Sequence, residues 1–209
     1  MQCIPLSKDK YKDWDSFCLF SSNESWFWHS TDWIEYALAY NPKLHSRNLS
    51  FMFIENKQVL AICLLLLEVR YLYNSRPHTT SIYFINEFSF GGGSIWTPAF
   101  HNGLTNRRKE QVSTIIFNEI DRLAKENNVV RASFIICPLT FPKYNYLMKH
   151  NYIDVSLNTQ ILDLGQDLKA MHNQLTKGHD YGIDKGLKSL QIEVHDKGDS
   201  ALFGEYCAL

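Results

Sequence analysis

A basic stretch around residue 180 carries the residue types best suited to bind an anion. Lys177, His179 and Lys185 lie close together there, and glycines recur every four residues, at 178, 182 and 186. On a helix these glycines would leave one face almost bare, so that a ligand could approach closely, although each would cost about 1 kcal/mol of helix stability. Tyr181 and Lys185 would share a face. The pattern predicts a phosphate or carboxylate site, but a surface helix with solvated lysines and a C-cap at residue 186 also explains it.

Three further features could take part in such chemistry. Glu87 stands shortly before Gly91–Gly93, and a carboxylate whose pKa is raised by burial can deprotonate an amine. The glycine triplet could cradle a phosphate or form a simple bulge. Trp26, Trp28 and Trp96 could form a stacking wall for a ligand or pack in the core. Glu87 and Asp184 are the candidate general bases, and of these we predict Glu87. We also predict substrate contacts at Trp28 and Trp96.

Composition and missing motifs narrow the function. The net charge of −1 argues against extensive contact with nucleic acid, so any anion site is local. The five cysteines lack CxxC spacing and the histidines lack metal-ligand spacing, which favours a reducing cytoplasm and predicts no metal. There is no GxSxG, HExxH, Walker or Rossmann motif. We expect no signal peptide, and the longest apolar run, Val59–Leu67, is too short to cross a membrane.

The first half of the chain predicts two helices followed by strands. Residues 8–20 form an amphipathic pattern, and Ser30 or Thr31 can cap a helix that begins at Asp32 and ends at Asn41-Pro42. Two apolar runs, 49–55 and 58–69, predict an antiparallel hairpin whose second strand is buried on both faces. Residues 70–80 are polar and predict a loop, and residues 81–90 predict another strand.

The second half alternates helices and strands. The periodicity predicts a helix over 105–126 capped by Thr105. Further predictions are a strand over 129–137, a short helix over 144–150, strands within 152–164 and a strand over 190–195. Residues 200–209 begin a helix that has no C-cap, so we expect the chain to be truncated from a longer protein. The order predicts an α/β or α+β fold, with a mixed sheet and helices on both faces.

Three stretches resemble FemAB-like proteins. The first is WDSFCLFSSNESWFWHSTDWIEYAL and the second is INEFSFGGGSIWTPAF. The third, LDLGQDLKAMHNQLTKGHDYGIDKGLKSLQIEV, is the most specific, because it is similar to the family's strand–helix–strand run with the helix pattern L-S-K-G-H-R-x-x-I-x-K-G/A-x-K. Leu175, Lys177, Gly178, His179 and Lys185 stand at matching places, as do Ile183 and Lys188. Asp180 departs from it, since the family has arginine there.

This resemblance implies a GNAT-like fold with a largely antiparallel, twisted sheet. It implies a first GNAT-like domain over 1–165, and over 166–209 a junction helix, a strand and the start of a second, truncated domain. The implied activity is N-acyl transfer by a bacterial, cytoplasmic enzyme to an amine of a cell-envelope or surface-polysaccharide precursor. The donor would be acetyl-CoA or an aminoacyl-tRNA. The acetyl-CoA pyrophosphate motif of ordinary GNAT enzymes, Q/RxxGxG/A, does not occur here.

Two functions from different classes therefore stay open. In the first, a transferase holds a donor and an amine close together, and Lys177, His179, Tyr181 and Lys185 bind a phosphate of one of them. In the second, a non-catalytic module binds a nucleotide-linked sugar, a peptide or tRNA, with the tryptophans stacking on it. The oligomeric state is not predicted.

Overall fold

The structure is a computed structural model that describes residues 2–76, 79–136, 146–155, 165, 167–173 and 177–190. The chain divides into two compact units, residues 1–157 and residues 158–209, and each is described by itself. The predicted division at residue 165 and the predicted truncated second domain stay predictions.

The first unit contains three α-helices and ten strands among its described residues. The helices are α1 (Tyr11–Phe20), α2 (Thr31–Tyr40) and α3 (Asn106–Glu126). The strands are β1 (Gln2–Pro5), β2 (Arg47–Asn48), β3 (Phe51–Glu55), β4 (Gln58–Cys63), β5 (Leu66–Arg76), β6 (Thr79–Phe88), β7 (Ile95–Trp96), β8 (Ala99–Phe100), β9 (Val129–Ala132) and β10 (Phe134–Ile135). Short 3-10 turns lie at Lys8–Lys10, Phe27–His29, Pro42–Leu44 and Tyr146–His150.

The strands pair in a mixed, largely antiparallel pattern. One group has the order β1-β3-β4-β8 and is antiparallel throughout. A second has the order β2-β5-β6-β9, in which only the β6–β9 pair is parallel. A third pair, β7 with β10, is also parallel. Parallel pairing requires a crossover connection, and α3 provides it between the strands that precede it and those that follow.

Helices cover both faces of the central strands, as the sequence predicts. The run 60–67 is buried at every residue, and its side chains alternate between two cores. Ala61, Cys63 and Leu65 pack in the core that contains α3. Ile62 and Leu64 pack in the core that contains α1 and α2. A mixed sheet with helices on both faces is therefore confirmed, as is the double burial of this run.

Side-chain caps begin two of the helices. The hydroxyl of Ser30 accepts a hydrogen bond from the backbone N–H of Trp33 at 3.2 Å, which starts α2. The hydroxyl of Thr105 accepts from the N–H of Arg108 at 3.3 Å, which starts α3. Each cap satisfies one of the free N–H groups of a first helical turn. Both predicted caps are confirmed.

The polar loop predicted over 70–80 is wrong. Strands β5 and β6 continue through this region as a hairpin, paired from Leu67–Phe88 to Arg76–Thr79. Polar residues do not interrupt such a hairpin, because an antiparallel ladder needs only backbone pairing and one covered face. The predicted strand over 58–69 is also divided, since β4 ends at Cys63 and β5 begins at Leu66.

Several other boundaries differ from the prediction or lie outside the described residues. The strand predicted over 129–137 forms as β9 and β10, separated by Ser133. The short helix predicted over 144–150 is a 3-10 turn from Tyr146, with residues 144 and 145 outside the described part. Residues 152–155 form no strand. The rest of the strands predicted within 152–164, the strand predicted over 190–195 beyond residue 190, and the helix predicted over 200–209 fall outside the described part.

The second unit contains two described helices. They are α4 (Leu168–Asn173) and α5 (Lys177–Ser189), and residues 174–176 between them are not described. A C-cap at Gly186 is wrong, because α5 continues to Ser189 and the carbonyl of Gly186 accepts from the N–H of Leu190 at 2.8 Å. No described helix in either unit has the length and apolar content needed to span a membrane.

Candidate functional site

The glycine triplet forms a turn at the point where β6 ends. Gly91 and Gly92 have positive φ angles of 56° and 80°, which glycine adopts without steric cost. Phe90 and Gly93 close the turn through two backbone hydrogen bonds of 3.2 and 2.8 Å. Strand β9 pairs with β6 before the turn, and β10 pairs with β7 after it. The turn therefore interrupts one strand while its neighbour continues to pair on both sides of it. The turn fits the bulge interpretation of the triplet, and phosphate binding there stays a prediction.

A buried carboxylate holds this turn. Glu68 is 1% exposed. Its Oε1 accepts from the N–H of Gly91 at 2.8 Å, and its Oε2 accepts from the N–H of Gly92 at 3.1 Å and from the hydroxyl of Ser89 at 2.7 Å. Sequence reasoning did not identify Glu68. The available signal was an acid at the end of an otherwise apolar run, since a buried acid needs partners.

Glu87, the predicted base, lies beside the same turn and is also 1% exposed. Its Oε2 accepts from Arg70 Nη1 at 3.2 Å and from Arg131 Nη2 at 3.0 Å. Arg131 Nη2 also donates to the carbonyl of Gly92 at 3.3 Å. Both guanidinium groups donate to the same carboxylate oxygen, so abstraction of a proton through Oε2 requires release of at least one of them.

The tryptophans form one aromatic wall, defined here as Trp26, Trp28, Trp33 and Trp96. Trp26 meets Trp96 edge to face at 4.7 Å, and Trp28 meets Trp33 in the same way at 4.5 Å. Trp28 and Trp96 are nearly parallel, with centroids 6.0 Å apart. A ring inserted between them would need about 7 Å, two contacts of about 3.5 Å each. A planar ligand would therefore stack on an outer face of the wall.

A buried histidine fixes the wall to the sheet. His29 is 1% exposed, and its Nε2 donates to the carbonyl of Thr97 at 3.0 Å. Its Nδ1 accepts from the N–H of Trp26 at 3.4 Å, and its own carbonyl accepts from Trp14 Nε1 at 2.5 Å. Burial lowers the pKa of His29 to about 4, because the charged imidazolium would lose its hydration. The neutral ring thus ties Phe27–His29 to the strand that carries Trp96.

A cleft of about 830 Å³ lies along α3. The turn at Tyr146–His150 forms its other side, and its lining includes Lys109, Ser113, Phe117, Tyr146, Lys149 and His150. The Ser113 hydroxyl lies 3.1 Å from His150 Nε2, and the His150 ring stacks on Phe117 at 4.2 Å. Burial lowers the pKa of His150 below its usual range. These contacts hold the turn against the helix.

Tyr146 joins the cleft to the aromatic wall. Its side chain lines the cleft, and its hydroxyl lies close enough to the side chain of Thr97 to affect its pKa. Burial raises the pKa of Tyr146 above its usual value, so the hydroxyl stays protonated near neutral pH. Since Thr97 follows Trp96 and accepts from His29, the cleft and the wall meet at this residue.

The basic residues predicted to bind an anion lie on α5, in the second unit. Lys177, His179 and Lys185 are exposed, and Tyr181 is 69% exposed. A Cβ added at Gly178 or Gly182 would meet no atom within 4 Å, whereas one at Gly186 would lie 3.8 Å from Leu190 Cδ1. The helix face is therefore open at the first two glycines, and anion binding there stays a prediction. Of the predicted site residues, the structure brings Trp28 and Trp96 together. Glu87 lies beside the glycine turn of the same unit.

No family model and no curated protein matches the chain. Among solved structures, the chain is similar to an aminoglycoside 6'-N-acetyltransferase of Acinetobacter haemolyticus, with 15% identity and a TM-score of 0.40 over 78% of this chain and 100% of that one. It is also similar to a tetramutant of the BH1408 protein of Bacillus halodurans, with 10% identity and a TM-score of 0.46 over 78% of this chain and 99% of that one. The fold assignment above rests on the strand order and on the helices that cover both faces.

Among the described residues, no three His, Cys, Asp or Glu side chains are grouped as a metal site requires.

Proposed function

We propose that this chain carries out N-acyl transfer, in which an acyl group passes from a donor to the amine of an acceptor. The observation that carries the proposal is the position of Tyr146, which lines the cleft and lies close to Thr97, the residue that follows Trp96 of the aromatic wall. Transfer between two molecules needs two adjoining binding surfaces, because close placement of the reacting groups supplies much of the rate enhancement. The resemblance of three sequence stretches to FemAB-like proteins supports the same activity.

We assign the donor to the cleft along α3. Its volume of about 830 Å³ lies in the usual range for small-molecule sites, about 300–1,000 Å³. Lys109 and Lys149 lie in its lining, where they pair with Glu24 and Glu110, so an anionic donor would compete with these carboxylates for them. Tyr146 places a hydroxyl there. Acetyl-CoA is the donor we propose, and it would supply the acyl group as a thioester. An aminoacyl-tRNA is the other donor to be tested.

We assign the acceptor to the aromatic wall. Trp28 and Trp96 offer ring faces for the apolar face of a sugar or peptide. The acceptor amine must lose a proton as it forms the new amide bond, and the leaving group must gain one. Tyr146, protonated near neutral pH, can donate to the leaving group. Glu87 stays the predicted base, provided that Arg70 or Arg131 moves away.

The role proposed for α5 is to bind a phosphate of either substrate. Its exposed Lys177, His179, Tyr181 and Lys185 offer cationic and hydrogen-bonding groups. An acceptor of the cell-envelope or surface-polysaccharide class, a bacterial source and a cytoplasmic location are parts of this proposal that come from the sequence.

The test is transfer of a labelled acyl group to a panel of amines, including amino sugars and envelope precursors. The protein is mixed with labelled acetyl-CoA, and in a parallel series with charged tRNA. We expect transfer from acetyl-CoA that falls at least tenfold in Tyr146→Phe and Trp96→Ala, while Lys12→Ala, an exposed substitution on α1, leaves it unchanged. Transfer that is equal in Tyr146→Phe, Trp96→Ala and the unaltered protein would remove the assignment of both surfaces.

The α5 and Glu87 assignments have separate tests. Lys177→Ala combined with Lys185→Ala should raise the KM for a phosphate-bearing substrate and leave kcat nearly unchanged. Glu87→Gln should lower kcat. If either variant behaves as the unaltered protein does, that residue role is wrong while the two-surface proposal stands.

A binding module without catalysis is the second candidate function. The pairing of Glu87 with two arginines favours it, because the predicted base is then held in an ion-pair cluster. In that case a nucleotide-linked sugar, a peptide or tRNA would bind, Trp28→Ala would weaken the binding, and no donor would support transfer.

A further inference from the structure

Two arginines, one on each strand that neighbours β6, contact one buried carboxylate of β6. Arg70 of β5 and Arg131 of β9 flank Glu87 of the strand between them, at 3.2 and 3.0 Å from the same oxygen, Oε2. The Glu87 side chain is 2% exposed, whereas those of Arg70 and Arg131 are 32% and 51% exposed. The carboxylate of Glu87 is therefore buried, and the two guanidinium groups are partly exposed to solvent.

Most guanidinium donors in this cluster remain unused. Each guanidinium has five N–H groups. Among the described residues, Arg70 donates only through Nη1 to Glu87, and Arg131 only through Nη2, to Glu87 and to the carbonyl of Gly92. The second acid nearby, Glu68, already accepts from Gly91, Gly92 and Ser89 and does not compete for them.

The structure holds both guanidinium groups in place before any ligand arrives. Glu87 fixes one edge of each group, and the turn packs against Arg70 so closely that a Cβ on Gly92 would lie 2.9 Å from the Arg70 Cζ. A fork that is already oriented loses little conformational entropy on binding. Its free edges match the paired oxygens of a phosphate or carboxylate.

An aromatic surface borders the same turn. A Cβ on Gly91 would lie 3.8 Å from Cε1 of Tyr40, and the ring of Tyr40 lies 5.4 Å from that of Phe90. Tyr40 is 54% exposed. A ligand bound through an anionic group at the arginines can therefore place a ring or another apolar part on this surface.

We propose that Arg70 and Arg131, beside the Gly91–Gly93 turn, bind the phosphate or carboxylate of a small molecule whose ring packs on Tyr40. This site uses none of the residues assigned to the cleft or to α5, and it adjoins the aromatic wall, because the ring of Phe90 lies 4.8 Å from that of Trp33. The inference concerns binding, and it stands whether or not the chain transfers an acyl group.

Three probes test the site in the absence of any acyl donor: phenyl phosphate, benzoate and inorganic phosphate. Binding is measured by calorimetry at constant ionic strength, and the shift in the thermal midpoint provides a second readout. We expect phenyl phosphate to bind at least tenfold more tightly than inorganic phosphate, because it adds the ring contact. The comparison with benzoate decides between a phosphate and a carboxylate ligand.

Substitutions test whether the probes bind at Arg131 and Tyr40. Arg131→Lys keeps the charge but loses the fork, so we expect phenyl phosphate affinity to fall at least fivefold. Tyr40→Ala should lower phenyl phosphate affinity to the level of inorganic phosphate and leave inorganic phosphate binding unchanged. Arg107→Lys, at an exposed arginine on α3 outside this cluster, is the control for Arg131→Lys.

Loss of Arg131 leaves Glu87 less neutralised and could unfold the protein. The double variant Arg131→Met, Glu87→Gln removes both charges together, should fold as judged by circular dichroism, and should bind none of the probes. The proposal is overturned if no probe binds the unaltered protein, or if a folded Arg131 variant binds phenyl phosphate as tightly as the unaltered protein does.

Discussion

The buried imidazole of His29 should make the stability of the first unit depend on pH. Its pKa is about 4 in the folded chain, against 6.5 for an ordinary histidine. The unfolded chain therefore binds a proton more readily than the folded one. The contribution of His29 to stability is complete above pH 6.5 and is lost as the pH falls from 6.5 towards 4. Each unit of pKa corresponds to 1.36 kcal/mol, so the whole effect is about 3 kcal/mol.

The assay is urea denaturation at intervals between pH 4.5 and 7.5, comparing the unaltered protein with His29→Gln. At pH 7.5 the variant should be less stable by about 1–3 kcal/mol, because a buried hydrogen bond is lost and the site packs less well. As the pH falls, the unaltered protein should lose about 2–3 kcal/mol more than the variant does. The stability difference between the two proteins should therefore shrink or change sign near pH 4.5.

Comparing two proteins cancels the titration of groups that they share, including His150 and the carboxylates. His45→Asn is the matched control, since His45 is exposed and has a φ of 47°, which asparagine tolerates. If His29→Gln loses stability with falling pH as steeply as the unaltered protein does, the buried neutral imidazole is not responsible, and our account of how the aromatic wall is fixed is wrong.

Three further substitutions have effects that follow from local geometry. Ser30→Ala removes the α2 cap and should lower the unfolding free energy by about 1 kcal/mol, measured in urea. Gly92→Ala should lower it by about 1–3 kcal/mol, because φ is 80° and the new methyl group would press on Arg70. Gly182→Ala meets open space and should stabilise α5 by about 1 kcal/mol, which slows amide exchange in that helix about fivefold.

Each of the three has an outcome that contradicts it. Ser30→Thr keeps a hydroxyl and should retain most of the cap, so equal losses in Ser30→Thr and Ser30→Ala would argue against capping. If Gly92→Ala left the unfolding free energy unchanged, the turn would not need a glycine for its left-handed backbone conformation at this position. If amide exchange in α5 were unchanged in Gly182→Ala, helix propensity would not limit the stability of α5.

Local sequence signals predicted the helices and strands that depend on residues close together in the chain. The caps at Ser30 and Thr105 follow from hydroxyl groups placed before apolar periodicity, and α3 follows from its spacing of branched side chains. The double burial of the run 60–67 follows from its unbroken apolar character. In each case the responsible residues are near neighbours in the sequence.

The long hairpin of β5 and β6 could not be predicted in the same way. Its polar residues resemble a loop when taken singly, and only pairing with the partner strand makes them regular. The partners of Glu87 come from two other strands, and one of them, Arg131, is far away in sequence. Isolated charged residues do not indicate which charge will neutralise them.

The sequence by itself determined the mixed sheet with helices on both faces, because hydrophobic periodicity decides which side of each element must be buried. It also singled out the tryptophans and the glycine turn as features of interest. Only the tertiary structure decided that Trp28 packs against Trp96, that Tyr146 reaches Thr97 and that two arginines share Glu87. Those contacts join residues distant in the chain, and strand pairing and core packing bring them together.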